Sequence, residues 1–217
     1  MTDELTKRYR NKTLIVLVFI AIFAGGLVLW QKVIKDYIIP KNFGVVEEGS
    51  IYRSGQISAR LIKTILTKYN IRVIVALTGD KPKDIDQLAE KQAASELNMK
   101  RFTFPLSGNG TGDVNNYINA ITTIAESVRQ KEPVLVYCAA GAQRTGGVIA
   151  TYRLLVEQKD ASFVISEMKK YGWTFHKNPE LPKYLNENME LIAKTLKQKG
   201  VIERVPSPLP KLQLNTN

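Results

Sequence analysis

Hydrophobic and polar positions follow two alternating periods along most of this chain. The runs IRVIVAL at 71–77 and PVLVYC at 133–138 are continuous, apolar and rich in β-branched residues over the length of a strand. KRFTFPL at 100–106 is a weaker example of the same pattern. Helical periodicity occupies 58–69, 84–98 and 113–130 between them, and then 144–158, 161–171 and 180–198. Strands separated by helices require crossover connections, which set the strands parallel and cover both faces of the sheet. The pattern predicts an α/β fold with a mainly parallel central sheet flanked by helices. No internal repeat is visible.

Both ends of the chain break the pattern. Residues 13–31 carry no charge and rise about 28 Å as a helix, enough to cross a bilayer. They predict one N-terminal transmembrane anchor, with no polar face of the kind a helix packed on a domain would show. The basic segment 1–12, with Lys7, Arg8, Arg10 and Lys12, precedes the run, and Trp30 stands at its far end. That asymmetry favours a cytoplasmic N-terminus and a folded domain outside the cytoplasm, although Lys32 and Lys35 follow the run. A cleaved signal peptide is the alternative, with Ala24–Gly26 as a poor processing site. At the other end, 199–217 contains RVPSPLPKLQLNTN, with three prolines and little periodicity, and reads as a loose tail.

Composition narrows the chemistry. A chain of 217 residues that is 44% hydrophobic can bury one substantial core, so a single domain over 42–198 is expected. The lone cysteine, Cys138, has no intrachain disulfide partner, and with the lone histidine, His176, it cannot supply the four ligands of a structural zinc site. No G-x-S-x-G elbow of a serine hydrolase is present. A net charge of +11 favours anionic partners, but the lysines are scattered and no nucleic-acid motif accompanies them, so nucleic acid is not an expected partner.

The candidate chemistry lies in VLVYCAAGAQRTGGVIA at 134–150. Cys138 stands at the carboxyl end of a strand, the edge where ligands bind in sheets of this kind. The small, flexible residues Ala139, Ala140, Gly141, Ala142 and Gln143 follow, and a helix is predicted from Arg144. Such a loop can turn successive backbone N–H groups toward one anion at a helix N-terminus. The same positive potential favours a thiolate at Cys138, and the planar fork of Arg144 can hold two oxygens of the anion. The alternative is a buried structural cysteine beside a surface arginine.

Cys138, Arg144 and Thr145 form C-x5-R followed by Thr, with RTGG continuing into the helix. This resembles the signature of the cysteine-dependent protein tyrosine and dual-specificity phosphatases. NFGVVEEGSIYRSGQIS at 42–58, FPLS at 104–107 and YRLLVE at 152–157 resemble the atypical, bacterial-type members, so the likeness covers roughly 42–195. It implies a tyrosine-phosphatase-like fold and hydrolysis of a phosphomonoester through a phosphocysteine, without metal or other cofactor. On this likeness Cys138 is the nucleophile, Arg144 and the amides of 139–144 hold the phosphoryl oxygens, and Thr145 assists the sulfur as it leaves. The partner would be a phosphorylated protein. A lipid or inositol phosphate substrate, or a module that binds phosphate without turnover, are the alternatives.

A general acid is also implied, on a mobile loop facing the phosphate loop. SGNGTGDVNNY at 107–117 has three glycines before Asp113, which makes Asp113 the first candidate, although it equally suits the N-cap of the next helix. Asp80, in LTGDKP, is the substitute. Two features depart from the family pattern. Tyr137 replaces the usual histidine before the cysteine, and the loop lacks the extra basic residue usual in relatives acting on highly phosphorylated inositols. The second favours a singly phosphorylated group such as phosphotyrosine. Arg53 and Ser54 either buttress the phosphate loop or sit in a turn, His176 is expected at the surface or in packing, and Tyr171, Trp173 and Phe175 are expected in the core.

Overall fold

The computed structural model describes residues 16–28, 30 and 35–213. The chain divides into two compact units, Met1–Ile39 and Pro40–Asn217. In the first, 16–28 is helical with its large apolar side chains exposed, and Lys35–Ile38 forms a single helical turn. No helix among the described residues is long and apolar enough to cross a membrane. The basic segment 1–12 and positions 13–15, 29 and 31 of the predicted anchor lie outside the described residues.

The second unit holds a five-stranded sheet, β1 (Gly44–Glu47), β2 (Ile51–Ser54), β3 (Val73–Ala76), β4 (Lys100–Thr103) and β5 (Val134–Tyr137), in the order β1-β2-β5-β3-β4. β1 and β2 form an antiparallel hairpin, and the remaining three pairings are parallel. The sheet is therefore mixed, with one antiparallel edge strand that the hydrophobic pattern does not predict. β2 escapes that pattern because it places Arg53 and Ser54 in the interior, and all four of its residues are buried.

Six helices follow: α1 (Ile62–Lys68), α2 (Ile85–Glu96), α3 (Val114–Arg129), α4 (Gln143–Leu155), α5 (Ala161–Lys170) and α6 (Glu180–Gln198). Alternation along the inner strands divides the core in two. Ile51, Val73, Val75, Val134 and Val136 pack with α3 to α6, whereas Tyr52, Ile74, Ala76, Leu135 and Tyr137 pack with α1 and α2. Coverage on both faces explains why β3 and β5 read as unbroken apolar runs. α4 is the central helix, buried from Thr145 to Leu155. Its Arg153 donates to Glu167 on α5 and to Val46 O on β1, tying three elements together.

The segment after α6, expected to be loose, packs against the domain. Leu212 is buried, its N–H donates to Asn186 Oδ1 at 2.8 Å, and its carbonyl accepts from Asn186 Nδ2 at 3.0 Å. Val201, Ile202, Val205 and Leu209 lie against the larger core cluster. One asparagine on α6 thus satisfies both backbone groups of Leu212, and the segment's apolar residues add burial between the prolines. Residues 214–217 lie outside the described residues.

Candidate active site

β5 ends at Tyr137, and the chain passes through Cys138 and a four-residue loop into α4. Cys138 is buried, and the Gly141 N–H donates to its Sγ at 3.2 Å. Gly141 has φ +72°, and a Cβ there would lie 2.5 Å from Gly55 N, so backbone conformation and space both demand glycine. The cap of α4, Ala142, has no side chain to occupy the first-turn N–H groups. That leaves the positive end of the helix directed into the loop.

Two buried polar atoms here have no hydrogen-bond partner in the protein: Gln143 Oε1 and Arg144 Nε. A buried, unpaired guanidinium N–H at a helix N-terminus fits an oxyanion group. Burial by itself would raise the Cys138 thiol. The Thr145 hydroxyl and amide, the Arg144 charge and the Gly141 N–H outweigh it and hold the thiol below its usual value.

The loop is braced from outside by residues distant in sequence. Arg53 is buried on β2 and donates through Nη2 to Gly141 O at 2.9 Å, with its guanidinium 3.9 Å from the Tyr171 ring centroid. Burial pulls the Arg53 guanidinium down to about 10, against the opposing charge of Glu167. Asn42 Nδ2 donates to Ala140 O at 2.8 Å, and the Gln56 N–H to Ala139 O at 3.3 Å. Of the two roles open to Arg53, the geometry is that of a buttress. Asn42 and Gln56 lie in the stretch 42–58 that carries the family likeness, but their contacts with the loop, and that of Tyr171 with Arg53, are visible only once β2 lies beside β5.

Asp113 caps α3, its carboxylate accepting from the Asn115 N–H at 2.9 Å. Its loop lies over the start of α4, since a Cβ on Gly110 would come within 3.2 Å of Gln143 backbone atoms. Gly110, three residues before Asp113, thus lies against the first residue of α4. Asp80 instead pairs with Lys91 at 3.1 Å and Arg101 at 3.6 Å, on α2 and β4. His176 is exposed, its ring 6.3 Å from that of Phe175. Tyr171 and Trp173 are in the core as expected, whereas Phe175 is 40% exposed.

Tyr137 faces away from the nucleophile, into the α1–α2 side of the sheet. Burial raises its phenol, and the neighbouring Glu90 carboxylate adds to the effect. Glu90 is itself raised by burial and accepts from Arg101 Nε at 2.8 Å. Strand alternation explains the arrangement, because consecutive residues at the end of β5 point to opposite faces.

A thiol held low at the end of a parallel strand, before a glycine-turned loop, an arginine and a helix N-terminus, defines the phosphate-binding site of a cysteine-dependent phosphatase fold. The family model for the dual specificity phosphatase catalytic domain matches residues 51–200, and the chain belongs to this family. Dual specificity protein phosphatase OPG106 of vaccinia virus (strain Copenhagen) is 30% identical over 105 residues, which cover 45% of this chain and 61% of that protein. The match therefore spans about three fifths of that relative's length. Among solved structures, TpbA of P. aeruginosa superposes with a TM-score of 0.57 at 19% identity, covering 72% of this chain and 91% of TpbA. The core catalytic domain of the PP-IP phosphatase SIW14 of S. cerevisiae, in complex with citrate, gives 0.58 at 18% identity, covering 79% and 97%. At these identities the structures establish a shared fold.

Proposed function

We propose that this protein hydrolyses phosphomonoesters through a phosphocysteine intermediate, acting on phosphorylated protein side chains. The observation that carries this reading is the convergence on Cys138 of the Gly141 N–H, Thr145 and Arg144, with Arg144 Nε buried and unpaired.

The Cys138 thiolate attacks phosphorus, an S–P bond forms, and the ester P–O bond breaks. Arg144 and the amides of 139–144 hold the equatorial oxygens as charge gathers on them. Asp113 gives its proton to the departing oxygen. Water then attacks the phosphocysteine and returns a proton to Asp113. The S–P bond breaks, inorganic phosphate leaves, and Thr145 steadies the thiolate that is regenerated.

Hydrolysis of p-nitrophenyl phosphate by the full chain, beside a Cys138→Ser variant, tests the chemistry. Vanadate-sensitive turnover lost in the variant is the expected result, and equal rates in both would sink the proposal. A second substrate class is favoured by the fold shared with the PP-IP phosphatase and by the basic charge of the chain: inositol phosphates or their lipids. Because the 139–143 loop offers no second cation, phosphotyrosine peptide is expected to turn over faster than any of these in a direct comparison. Membrane attachment is proposed from the charge-free run 13–31, and carbonate-resistant sedimentation of the full chain, lost on deleting that run, would support it.

A further inference from the structure

Four successive carbonyls of the loop that leads into Asp113, those of residues 109–112, are held. Asn109 O accepts from Asn178 Nδ2, Gly110 O from the Tyr117 hydroxyl, Thr111 O from the Ser107 N–H at 2.8 Å, and Gly112 O from the Tyr184 hydroxyl at 2.8 Å. Positive φ at Gly110 and Gly112, +92° and +142°, lets the chain turn these carbonyls toward their donors. Three glycines in this stretch suggest a mobile lid. Four occupied carbonyls describe a loop pinned in place.

Two of the pins are phenols that join the loop to the phosphate-binding helix. Tyr117, on α3, has its hydroxyl against Gly147 of α4, where any Cβ would overlap it. Its ring centroid is 5.7 Å from that of Tyr184, on α6. Tyr184 grips the carbonyl immediately before Asp113 and lies in the field of its carboxylate. Burial, with the Asp113 charge adding to it, raises the Tyr184 phenol and keeps it a donor. The line from Gly147 through Tyr117 and Tyr184 to Gly112 thus links α4 to the backbone immediately before Asp113.

We propose that Tyr184 is a positioning residue for the general acid, holding Asp113 preset at the leaving-group side of the phosphate loop through its hydrogen bond to Gly112 O. This rests on the assignment of Asp113 as the acid. A residue acting in this way affects only the proton delivered to the leaving oxygen, so its removal should matter in proportion to how badly that oxygen needs the proton.

The test compares Y184F, D113N and the double variant in the full chain, on phenyl phosphate, a poor leaving group, and p-nitrophenyl phosphate, a good one. Phenylalanine removes one hydroxyl and keeps the ring beside Tyr117. Y184F is expected to lose about tenfold in kcat on phenyl phosphate, the size of one hydrogen bond, and under about twofold on p-nitrophenyl phosphate. KM and vanadate inhibition should be unchanged, and Y184F should add no loss to D113N. An equal loss on both substrates, weakened vanadate inhibition or losses that multiply in the double variant would each overturn the role of Tyr184 while leaving Asp113 as the acid. Should D113N itself show no dependence on leaving group, the acid assignment falls and this proposal with it.

Discussion

Arg53 donates from beneath the phosphate loop to the carbonyl of Gly141 at 2.9 Å, and the N–H of that same glycine donates to the Cys138 sulfur at 3.2 Å. A buried cation on β2 thereby fixes the residue that directs an amide at the nucleophile. Tyr171 closes over the other side of the guanidinium.

Replacing Arg53 by Met keeps most of the buried volume and removes the donor. Gly141 O then loses its side-chain partner, so the variant is expected to lose about 1–3 kcal/mol of stability and tenfold or more in kcat. Arg53→Lys should restore little, because an ammonium cannot both lie flat on Tyr171 and reach the carbonyl. Urea unfolding and turnover of p-nitrophenyl phosphate measure the two effects.

The thiol of Cys138 is held below its usual value, so the reactive thiolate persists to lower pH than for a free cysteine, and kcat/KM should rise with pH along its acid limb through that lowered value. The Thr145 hydroxyl is foremost among the contacts that lower it. Thr145→Ala should therefore move the acid limb to higher pH, reducing turnover more at about pH 5.5 than at about pH 7.5. In stability, a lowered thiol favours the folded state above its unfolded value of about 8.5, and that contribution fades as pH falls through the folded value. The rate of iodoacetamide alkylation against pH reads the shift directly. An unmoved profile would remove Thr145 from the account.

Glu90 and Arg101 form an ion pair on the far side of the sheet from the nucleophile, at 2.8 Å with side chains only 5% and 15% exposed. Glu90→Ala leaves the Arg101 charge only the more exposed Asp80, at 3.6 Å, and is expected to cost about 2 kcal/mol, with Glu90→Gln costing less. Since this network packs against Tyr137 and not Cys138, kcat of the folded variants should stay within about twofold of the parent. Thermal unfolding and kcat measured on the same samples test both halves.

The elements whose signals are local were legible. α2, α3 and α6 lie within the ranges set by helical periodicity, and β3 and β5 within the two strongest apolar runs. The hairpin β1–β2 was not, because neither strand is an apolar run: β1 exposes Val45 and Glu47, and β2 carries a buried arginine. Glycine content pointed to a mobile acid loop, but it could not show Asn178 and Tyr184 arriving from elsewhere to hold the loop. For the tail, three prolines excluded a helix, but they did not prevent Leu209 and Leu212 from packing.

The strand, the loop, Cys138, Arg144 and the helix after them could be read from the residues alone, since all fall within one short stretch where spacing and geometry are nearly the same thing. Contacts that orient the site could not. Arg53 meets Gly141 across 88 residues and Tyr184 meets Gly112 across 72. Such pairs form because β2 lies beside β5 and α6 beside α3, and strand order and helix packing come from burying the whole core at once, beyond the reach of any local pattern.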